Sequence, residues 1–238
     1  MRRILITNDD GIGSDGILRL AEAAKEFGEL WVVAPAHERS AASHCITLRE
    51  PLYVKECDFP VSGVRAFSCS GMPADCVRVG SLSVMPEKPD VVLSGINYGY
   101  NVASDTQYSA TVGAALEGAF QGFNAIAFSE ESVPCHDTTD AYIRELLAEY
   151  IDRVPERNSI VNINIPGCPR TECRGILRGR ITSAGSFYHD RYKKLGEEED
   201  GTVIYMVDGI YNEEAEEDTD FRAVVDKYIS VGIVRNLG

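Results

Sequence analysis

The chain has 238 residues, of which 44% are hydrophobic, and its 37 Asp and Glu against 23 Lys and Arg leave a formal net charge of −14. A surface this acidic repels nucleic-acid backbones and anionic membranes, so neither a nucleic-acid duplex nor a membrane is an expected partner. No stretch reaches the roughly 20 apolar residues of a membrane span, and the apolar run after the basic N-terminal residues is too short for a signal peptide. The length suits one α/β domain with a substantial core.

The seven cysteines are odd in number and include no C-x-x-C pair. Their spacing matches no zinc pattern, so they are expected to be reduced thiols, several of them acting as small buried hydrophobes. Free thiols are typical of a reducing compartment, which predicts a cytoplasmic protein.

Short apolar runs alternate with helical patterns through the first two thirds of the chain. Apolar residues three to four positions apart predict helices, and compact β-branched runs predict strands. In chain order the expected elements are a strand at 4–6, a helix at 17–27, strands at 30–34 and 90–94, a helix at 112–120, a strand at 125–128, a helix at 143–154 and a strand at 159–165.

The predicted strands are mostly apolar along their whole length and do not alternate with polar residues. This pattern is typical of a parallel sheet that is covered on both faces. Strand–helix–strand repetition then predicts a doubly wound, Rossmann-like α/β fold with helices on both faces of a mostly parallel sheet. Ligands of such folds bind beyond the carboxyl ends of the strands, so the candidate loops are those that follow residues 6, 34, 94 and 128.

The pattern changes after about residue 170, where strands are expected at 176–183, 201–207 and 227–234 without amphipathic helices between them. The acidic runs at 197–200 and 213–220 are typical of solvated loops. We therefore expect a single domain over residues 1–238 whose last part, from about 170 to 238, forms arm-like β-hairpin extensions. Extended arms of this kind often mediate subunit pairing.

The loop after the first strand, TNDDGIGSDGI at residues 7–17, contains a formal match to the dinucleotide fingerprint G-x-G-x-x-G. Asp9 and Asp10 directly precede the glycines and would repel a pyrophosphate, and the second strand ends at Pro35 without a carboxylate to hold a ribose hydroxyl. Adjacent aspartates at a strand end suit a hard divalent cation instead. The pair Asp10-Gly11 is also common in turns, so a plain turn is an equally good interpretation of this loop taken alone.

The loops after the other strands carry small polar side chains that favour a ligand site. In the loops after 34 and 94 these residues are Ser40, Ser43, His44, Thr47, Asn97 and Asn101. Asparagine side chains offer neutral oxygen ligands or amide donors. Ser109 stands just ahead of a helix that begins near Thr111, and the free amides and dipole of a helix start favour a phosphate. A capped helix without a ligand is the commoner explanation of an isolated Ser or Thr at such a position.

Five stretches follow one another in the chain: ILITNDDGIGSDGI, VVAPAHERSAASHCIT, GMPADCV, PDVVLSGINYGYN and YSATVGAALEG. Together they resemble the survival protein E (SurE) family of metal-dependent nucleotidases. The resemblance runs in order from residue 4 to about 130 and continues more weakly through NINIP and DTDFRAVVDKYISV. Five ordered motifs of this length are a far more specific signal than the single glycine pattern.

The resemblance implies a phosphomonoesterase that uses one divalent cation per subunit to hydrolyse nucleoside monophosphates to nucleoside and phosphate. The positions that match the family's metal ligands are Asp9, Asp10, Ser40 and Asn97. This set contains only oxygen donors, which suits Mg²⁺ or Mn²⁺ better than Zn²⁺. Asp9 and Asp10 are then the expected catalytic carboxylates. The residues expected to hold the phosphate of the substrate are Asn101, Ser109 and Thr111. Family members are commonly homodimers or homotetramers.

Three positions depart from the family's usual pattern. Ala110 stands where a glycine is usual between Ser109 and Thr111, and the segment 230–233 reads SVGI where the family has SVTP. Met72 replaces a threonine, which removes a hydroxyl and changes the substrate contacts expected there. None of the three belongs to the expected metal set, so activity is expected to survive with an altered preference.

Other classes of protein fit the residues less well. A haloacid-dehalogenase phosphatase needs Asp-x-Asp, and a serine hydrolase needs G-x-S-x-G, which the chain lacks. Of the four histidines only His44 is near a candidate loop, whereas His37, His136 and His189 are expected on the surface or in loops. The alternative is a non-catalytic nucleotide-binding or regulatory module, which tight AMP binding without phosphate release would indicate.

Overall fold

The structure is a computed structural model of the chain and describes residues 1–153, 156–212 and 214–236. Every strand and helix predicted up to residue 165 is present. In chain order the strands and helices of this part are β1 (Arg3–Thr7), α1 (Asp15–Ala24), β2 (Glu29–Pro35), β3 (Val54–Cys57), β4 (Arg65–Cys69), α2 (Pro73–Val79), a π-helical turn (Gly80–Val84), β5 (Val91–Tyr98), α3 (Asp105–Tyr108), α4 (Ala110–Phe120), β6 (Asn124–Glu130), α5 (Asp137–Tyr150) and β7 (Ser159–Ile165). The strands β3 and β4 and the helices α2 and α3 were not predicted, and Val154, expected at the end of α5, lies outside the described residues.

The last part of the chain contains short strands and one helix. In chain order they are β8 (Ile176–Arg180), β9 (Tyr188–His189), β10 (Tyr192–Glu197), β11 (Val203–Val207), β12 (Ile210–Tyr211), α6 (Asp220–Val225) and β13 (Ile229–Arg235). Two of these strands join the central sheet and four form separate two-stranded ribbons.

Nine strands of the described chain form one sheet in the order β3-β4-β2-β1-β5-β6-β7-β13-β8. All neighbours from β4 to β7 are parallel, which confirms the predicted doubly wound fold, whereas β3 and β13 run antiparallel to β4 and β7. β1 lies between β2 and β5, with Ile4 opposite Leu30 on one side and Val91 on the other. The strand order reverses at β1, and this switch point is where folds of this type bind their ligands.

Helices cover both faces of the sheet, which explains why its strands are apolar throughout. Ile4 and Ile6 of β1 pack in one buried cluster with the apolar residues of α1 and α5. Leu5, between them, points to the opposite face and packs with residues of α2 and α4. Each fully buried side chain of this size contributes roughly 2 kcal/mol to folding, so both faces drive the sheet into the core.

The glycine at position 16 explains how closely α1 lies against the sheet. A Cβ atom at Gly16 would overlap the carbonyl oxygen of Ile96 in β5. Only glycine therefore permits this packing distance between helix and strand. The last glycine of the GIGSDG pattern thus has a packing role: it lets α1 lie directly against Ile96, the residue that precedes Asn97.

The segments expected as hairpin arms at 176–183 and 227–234 instead extend the central sheet, which corrects that prediction. β13 pairs antiparallel with β7, from Ser230 opposite Asn164 to Arg235 opposite Ser159, and β8 pairs parallel with β13. Ile229 of β13 is fully buried. Burial of such side chains against the helices stabilises the sheet position more than an exposed arm could.

The acidic run at 213–220 was expected to be a solvated loop without a helix nearby. Its last residue, Asp220, is instead buried and begins a helix. α6 begins at Asp220, which is 3% exposed and accepts hydrogen bonds from the backbone N–H groups of Ser183 (2.9 Å) and Phe221 (2.7 Å). Burial raises the pKa of Asp220 to about 6. Thr219 caps the helix by accepting from the N–H of Arg222. The backbone donors explain why an acidic residue is buried here, and Glu213 lies outside the described residues.

The remaining strands form two ribbons outside the central sheet, and of these strands only β11, at the predicted 201–207, was expected. β10 and β11 make an antiparallel hairpin, and β9 and β12 make a second, shorter ribbon. All five residues of β11 are exposed, although their sequence is VIYMV. An apolar strand with both faces in solvent is typical of a surface that another chain covers.

Two sequence-level expectations concern membranes and thiols. Among the helices of the described ranges, none is both long and apolar enough to cross a membrane. All seven cysteines are free thiols, with Cys69 and Cys76 buried and Cys45 exposed.

Candidate functional site

The loop after β1 is held in shape by the side chain of Asn8. This residue is fully buried and its amide donates to the carbonyl of Gly11 (2.9 Å) and to Ser14 Oγ (2.8 Å). Gly11 has a φ of 97°, a conformation that other residues seldom adopt. The turn therefore fixes the two aspartates between Asn8 and Gly11 at the end of the strand.

The carboxyl groups of Asp9 and Asp10 are both partly or fully removed from solvent. Asp9 is 3% exposed, and burial raises its pKa to about 6 although Thr111 Oγ1 donates to its Oδ1. Burial also raises the pKa of Asp10, and the charges of Glu38 and Glu130 act in the same direction. The N–H of Tyr98 opposes this by donating to Asp10 Oδ2 at 3.2 Å. Such a concentration of negative charge is stabilised by a cation.

The loop after β2 is tied directly to the first loop by backbone hydrogen bonds. The N–H of Arg39 donates to the Asp9 carbonyl at 2.7 Å, and the N–H of Ile12 donates to the Pro35 carbonyl at 2.9 Å. Ser40 follows next in the chain, is exposed, and donates from its hydroxyl to Glu38 at 2.8 Å. The two loops thus lie side by side at the carboxyl ends of neighbouring strands.

The loop after β5 presents an asparagine with an uncommitted oxygen. Asn97 donates from Nδ2 to the Gly99 carbonyl at 2.8 Å, which leaves Oδ1 as the atom for a ligand. Gly99 has a φ of 144°, and the Gly95–Ile96 peptide bond is cis. The parallel register of β5 with β6 shifts between Ser94 and Asn97, where the strand leaves regular pairing.

The N-terminus of α4 forms a further side of the site. Ser109 is the N-cap, and its Oγ accepts from the N–H of Val112 at 3.1 Å. Ala110, where the family usually has glycine, begins the helix and is fully buried. Alanine has the highest helix propensity, so this departure suits the helix start.

One cavity of about 720 Å³ lies beside these loops. The predicted residues that line it are Asp9, Ser40, Asn97, Asn101 and Ser109. Asp10 lines a smaller neighbouring cavity of about 380 Å³ together with Glu130 and His136. Thr111 lines neither, because it is fully buried and its hydroxyl donates to Asp9. Five of the seven predicted site residues therefore share one cavity, and Thr111 contacts Asp9 from the protein interior through its hydroxyl.

Several residues of this cavity were not predicted from the sequence. They are Ala41, Tyr98, Tyr100, Ser104, Asp105, Tyr108, Ser186, Tyr188, His189 and Asp190. The last four come from the segment around β9, far along the chain from the motif loops, so local patterns gave no signal for them. His189, expected on the surface or in a loop, therefore lies at the edge of the candidate site.

His44 reaches away from this cavity and anchors its own loop. Its Nε2 lies 2.8 Å from Glu117 Oε2 on α4, and Arg78 contacts the other oxygen of Glu117 at 3.0 Å. Burial alone would raise the pKa of Glu117, but hydrogen bonds from His44 and Gln121 hold it below its ordinary value. His44 thus fixes the loop that carries Ser40.

The donor atoms at this cavity fit a hard divalent cation. Within the part of the chain that the structure describes, no three His, Cys, Asp or Glu side chains group as a metal site. A cation here would therefore need neutral oxygens beside the carboxylate of Asp9, which lines this cavity, and that of Asp10, which lines the neighbouring one. The hydroxyl of Ser40 and Oδ1 of Asn97 are oxygens of this kind, and hard cations prefer such mixed oxygen sets.

The fold and the cavity define a class: doubly wound α/β proteins that bind a ligand at the carboxyl edge of the sheet, at its switch point. Residues 4–189 match the family model described as "Survival protein SurE". The chain belongs to the SurE family.

Proteins of known description resemble this chain over nearly its whole length. The "5'-nucleotidase SurE" of Thermosipho melanesiensis is 39% identical over 230 residues, which cover 96% of this chain and 89% of that protein. The protein of the same description from Chlorobium chlorochromatii is 44% identical over 177 residues, covering 73% and 64% of the two chains. The crystal structure of the SurE protein from Aquifex aeolicus is 33% identical, has a TM-score of 0.84 and covers 99% of this chain and 94% of that one.

Proposed function

We propose that this chain is a divalent-cation-dependent phosphomonoesterase that hydrolyses nucleoside monophosphates to nucleoside and phosphate. One observation carries the proposal: Asp9, Ser40 and Asn97, from the ends of three adjacent parallel strands, line a single cavity. Relatives described as 5'-nucleotidases support it. A cavity of about 720 Å³ is large enough for a nucleotide-sized ligand.

We propose one cation per subunit, Mg²⁺ or Mn²⁺, held by Asp9, Asp10, Ser40 and Asn97. When bound, the cation would offset negative charge on the phosphoryl group and make a nearby water more acidic. A local cation also explains how a chain of net charge −14 accepts an anionic substrate.

The chain's own residues have distinct roles in this proposal. Asp9 and Asp10 are the catalytic carboxylates, one of which orients the attacking water and takes its proton. Thr111 keeps Asp9 oriented through its hydrogen bond. Asn101, Ser109 and the start of α4 hold the phosphate, whose charge the helix dipole favours.

Assays of phosphate release test the proposal directly. The purified chain is expected to release phosphate from AMP or GMP with Mg²⁺ or Mn²⁺ and to release none with EDTA. A screen of all nucleoside monophosphates, with and without added cation, gives the preference for base and for 5′ or 3′ position. Tight AMP binding without phosphate release in Mn²⁺ would contradict the enzyme and identify a non-catalytic nucleotide-binding module.

We also propose that residues 1–238 form one domain that self-associates through the exposed hairpin, as a homodimer or homotetramer. Tyr205, Met206 and Val207 of β11 are each more than half exposed, so burial against a second chain would remove apolar area from water. Light scattering after gel filtration is expected to give two or four subunits, and the variant Tyr205→Asp/Val207→Asp is expected to give smaller species. A monomeric wild-type chain would refute this.

The seven free thiols favour a reducing compartment, and we propose the cytoplasm. Cell fractionation checks this location, and recovery of the protein outside the cytoplasm would exclude it.

A further inference from the structure

Two buried asparagines on β7 lie directly behind the candidate site. Asn162 is 3% exposed and Asn164 is fully buried. Both occupy the central sheet, two positions apart and so on the same face of β7, and their side chains reach the same residue, Asn101, in the loop after β5. This contact spans more than 60 positions of sequence, and Asn101 lines the cavity.

The backbone of Asn101 has all its hydrogen-bonding groups committed. Its carbonyl accepts from Asn162 Nδ2 at 2.9 Å, Asn164 Nδ2 at 3.2 Å and Thr106 Oγ1 at 3.2 Å. Its N–H donates to Asn164 Oδ1 at 2.7 Å. A carbonyl oxygen has two lone pairs, so three donors saturate it. The peptide groups on both sides of Asn101 are thereby fixed to β7.

The side chain of Asn101 is also directed by the sheet. Its Nδ2 donates to Ser129 Oγ of β6 at 2.7 Å, and Ser129 is fully buried. Because backbone and amide are both held, the remaining side-chain hydrogen-bonding capacity of Asn101 faces the cavity that it lines. Neighbouring strands, and not the loop itself, therefore determine where this residue stands.

The side-chain amide of Asn162 is only partly satisfied. Asn162 Oδ1 is buried and has no hydrogen-bond partner. A buried polar atom without a partner lowers stability, and an apolar residue of the same size would avoid that loss. Asn162 therefore stabilises the fold less than an aliphatic residue of its size would, while Asn162 and Asn164 together fix the position of Asn101.

We propose that Asn162 and Asn164 are positioning residues of the phosphate-binding site, acting through Asn101. The inference rests on the proposed function, because it takes Asn101 as a contact of the substrate phosphate. Loss of the pair loosens Asn101 and weakens phosphate binding in ground and transition states alike. Such uniform loss raises KM more than it lowers kcat.

The chain contains a matched control for this inference. Asn124, at the opposite end of β6, is also buried, also donates from Nδ2 to a backbone carbonyl (Ile151, 2.7 Å), and also has an unpartnered Oδ1. The variants Asn162→Leu and Asn124→Leu thus remove comparable amide-to-carbonyl hydrogen bonds, one to a cavity residue from the middle of β7 and one at the start of β6. Both are expected to shift Tm by similar amounts.

Only the variant near the cavity is expected to change the kinetics. Asn162→Leu is expected to raise KM for a nucleoside monophosphate, and the inhibition constant of inorganic phosphate, at least fivefold with kcat within threefold, whereas Asn124→Leu changes neither. In an Asn101→Ala background Asn162→Leu is expected to have no further effect, because it acts through Asn101. Full additivity there, or unchanged KM and phosphate inhibition in folded Asn162→Leu, would overturn the inference.

Failure of the proposed function would look different. A wild-type chain that hydrolyses no nucleoside monophosphate refutes the enzyme, and calorimetric titration with inorganic phosphate and Mg²⁺ then tests the inference without turnover. Weaker phosphate binding in Asn162→Leu, with Asn124→Leu unchanged, supports it. Equal binding in all three proteins, or no phosphate binding by the wild type, rejects it.

Discussion

Replacing Asp9 by asparagine is expected to lower phosphate release roughly 10³-fold or more at saturating Mn²⁺, because the site loses a charge where the proposed cation and the attacking water both need one. The asparagine side chain would keep the shape of the aspartate and an oxygen that accepts from Thr111, so the fold is expected to persist. Steady-state phosphate release with AMP measures the loss. Asp58→Asn removes the same charge from an exposed position after β3 and is expected to keep wild-type activity.

The same substitution is expected to stabilise the protein when no cation is present. Burial raises the pKa of Asp9 from its ordinary 3.8 to about 6. Between these values the folded chain holds a proton that the unfolded chain has released, so the free energy of unfolding falls as the pH rises from about 4 to about 6. Above pH 6 the ionised carboxylate costs on the order of 2–3 kcal/mol, which Asp9→Asn removes.

Thermal unfolding in EDTA at pH 7.5 is therefore expected to give a higher Tm for Asp9→Asn than for the wild type, with the difference vanishing below pH 4. Added Mn²⁺ raises the wild-type Tm, because a ligand of the folded state stabilises it, and has little effect on the variant. Full activity in Asp9→Asn, or an equal response of both proteins to Mn²⁺, would show that the cation is held elsewhere. A lower Tm for Asp9→Asn than for the wild type in EDTA would contradict the expected relief of the buried charge, and the circular dichroism spectrum of the variant would show whether its loss of activity comes from unfolding.

The architecture around this site could be predicted because its determinants are local. Continuous apolar runs at 4–6, 30–34 and 125–128 give buried parallel strands wherever helices cover both faces, and the structure confirms each of them. Once the strands are parallel, their carboxyl ends meet at one edge. The convergence of the loops that carry Asp9, Ser40 and Asn97 then follows from topology, whereas the ligand set itself came from resemblance to a family.

The features that could not be predicted from the sequence depend on contacts between residues far apart in the chain. β13 reads like an exposed hairpin strand, and only its antiparallel register with β7 makes it part of the central sheet. Asp220 belongs to an acidic run, yet backbone donors from a distant segment stabilise it in the interior. Thr111 was expected to contact phosphate, and its burial next to Asp9 depends on how α4 packs across β5 and β6. No periodicity in a single sequence encodes these contacts.

Gly16→Ala is expected to lower the stability of the protein strongly for so conservative a change. In an exposed helix, alanine is more favourable than glycine by about 1 kcal/mol. Here its Cβ would overlap the Ile96 carbonyl oxygen, so α1 and β5 must separate. Overpacking of this kind costs about 3 kcal/mol, which chemical denaturation measures as a lower transition midpoint at unchanged slope.

The separation of α1 from β5 is also expected to displace the candidate site, because Ile96 directly precedes Asn97. A displacement of about 1 Å at a group that positions the substrate lowers turnover on the order of 10²-fold, so kcat is expected to fall even where the protein is fully folded. Gly13→Ala is the control, since a Cβ at that exposed position in the same loop meets nothing within 4 Å. If Gly16→Ala proves as stable and as active as Gly13→Ala, then α1 does not lie against β5 as closely as described. The position of the loop after β5 would then be determined by its own hydrogen bonds, such as that from Asn97 to Gly99, and not by the packing of α1 against β5.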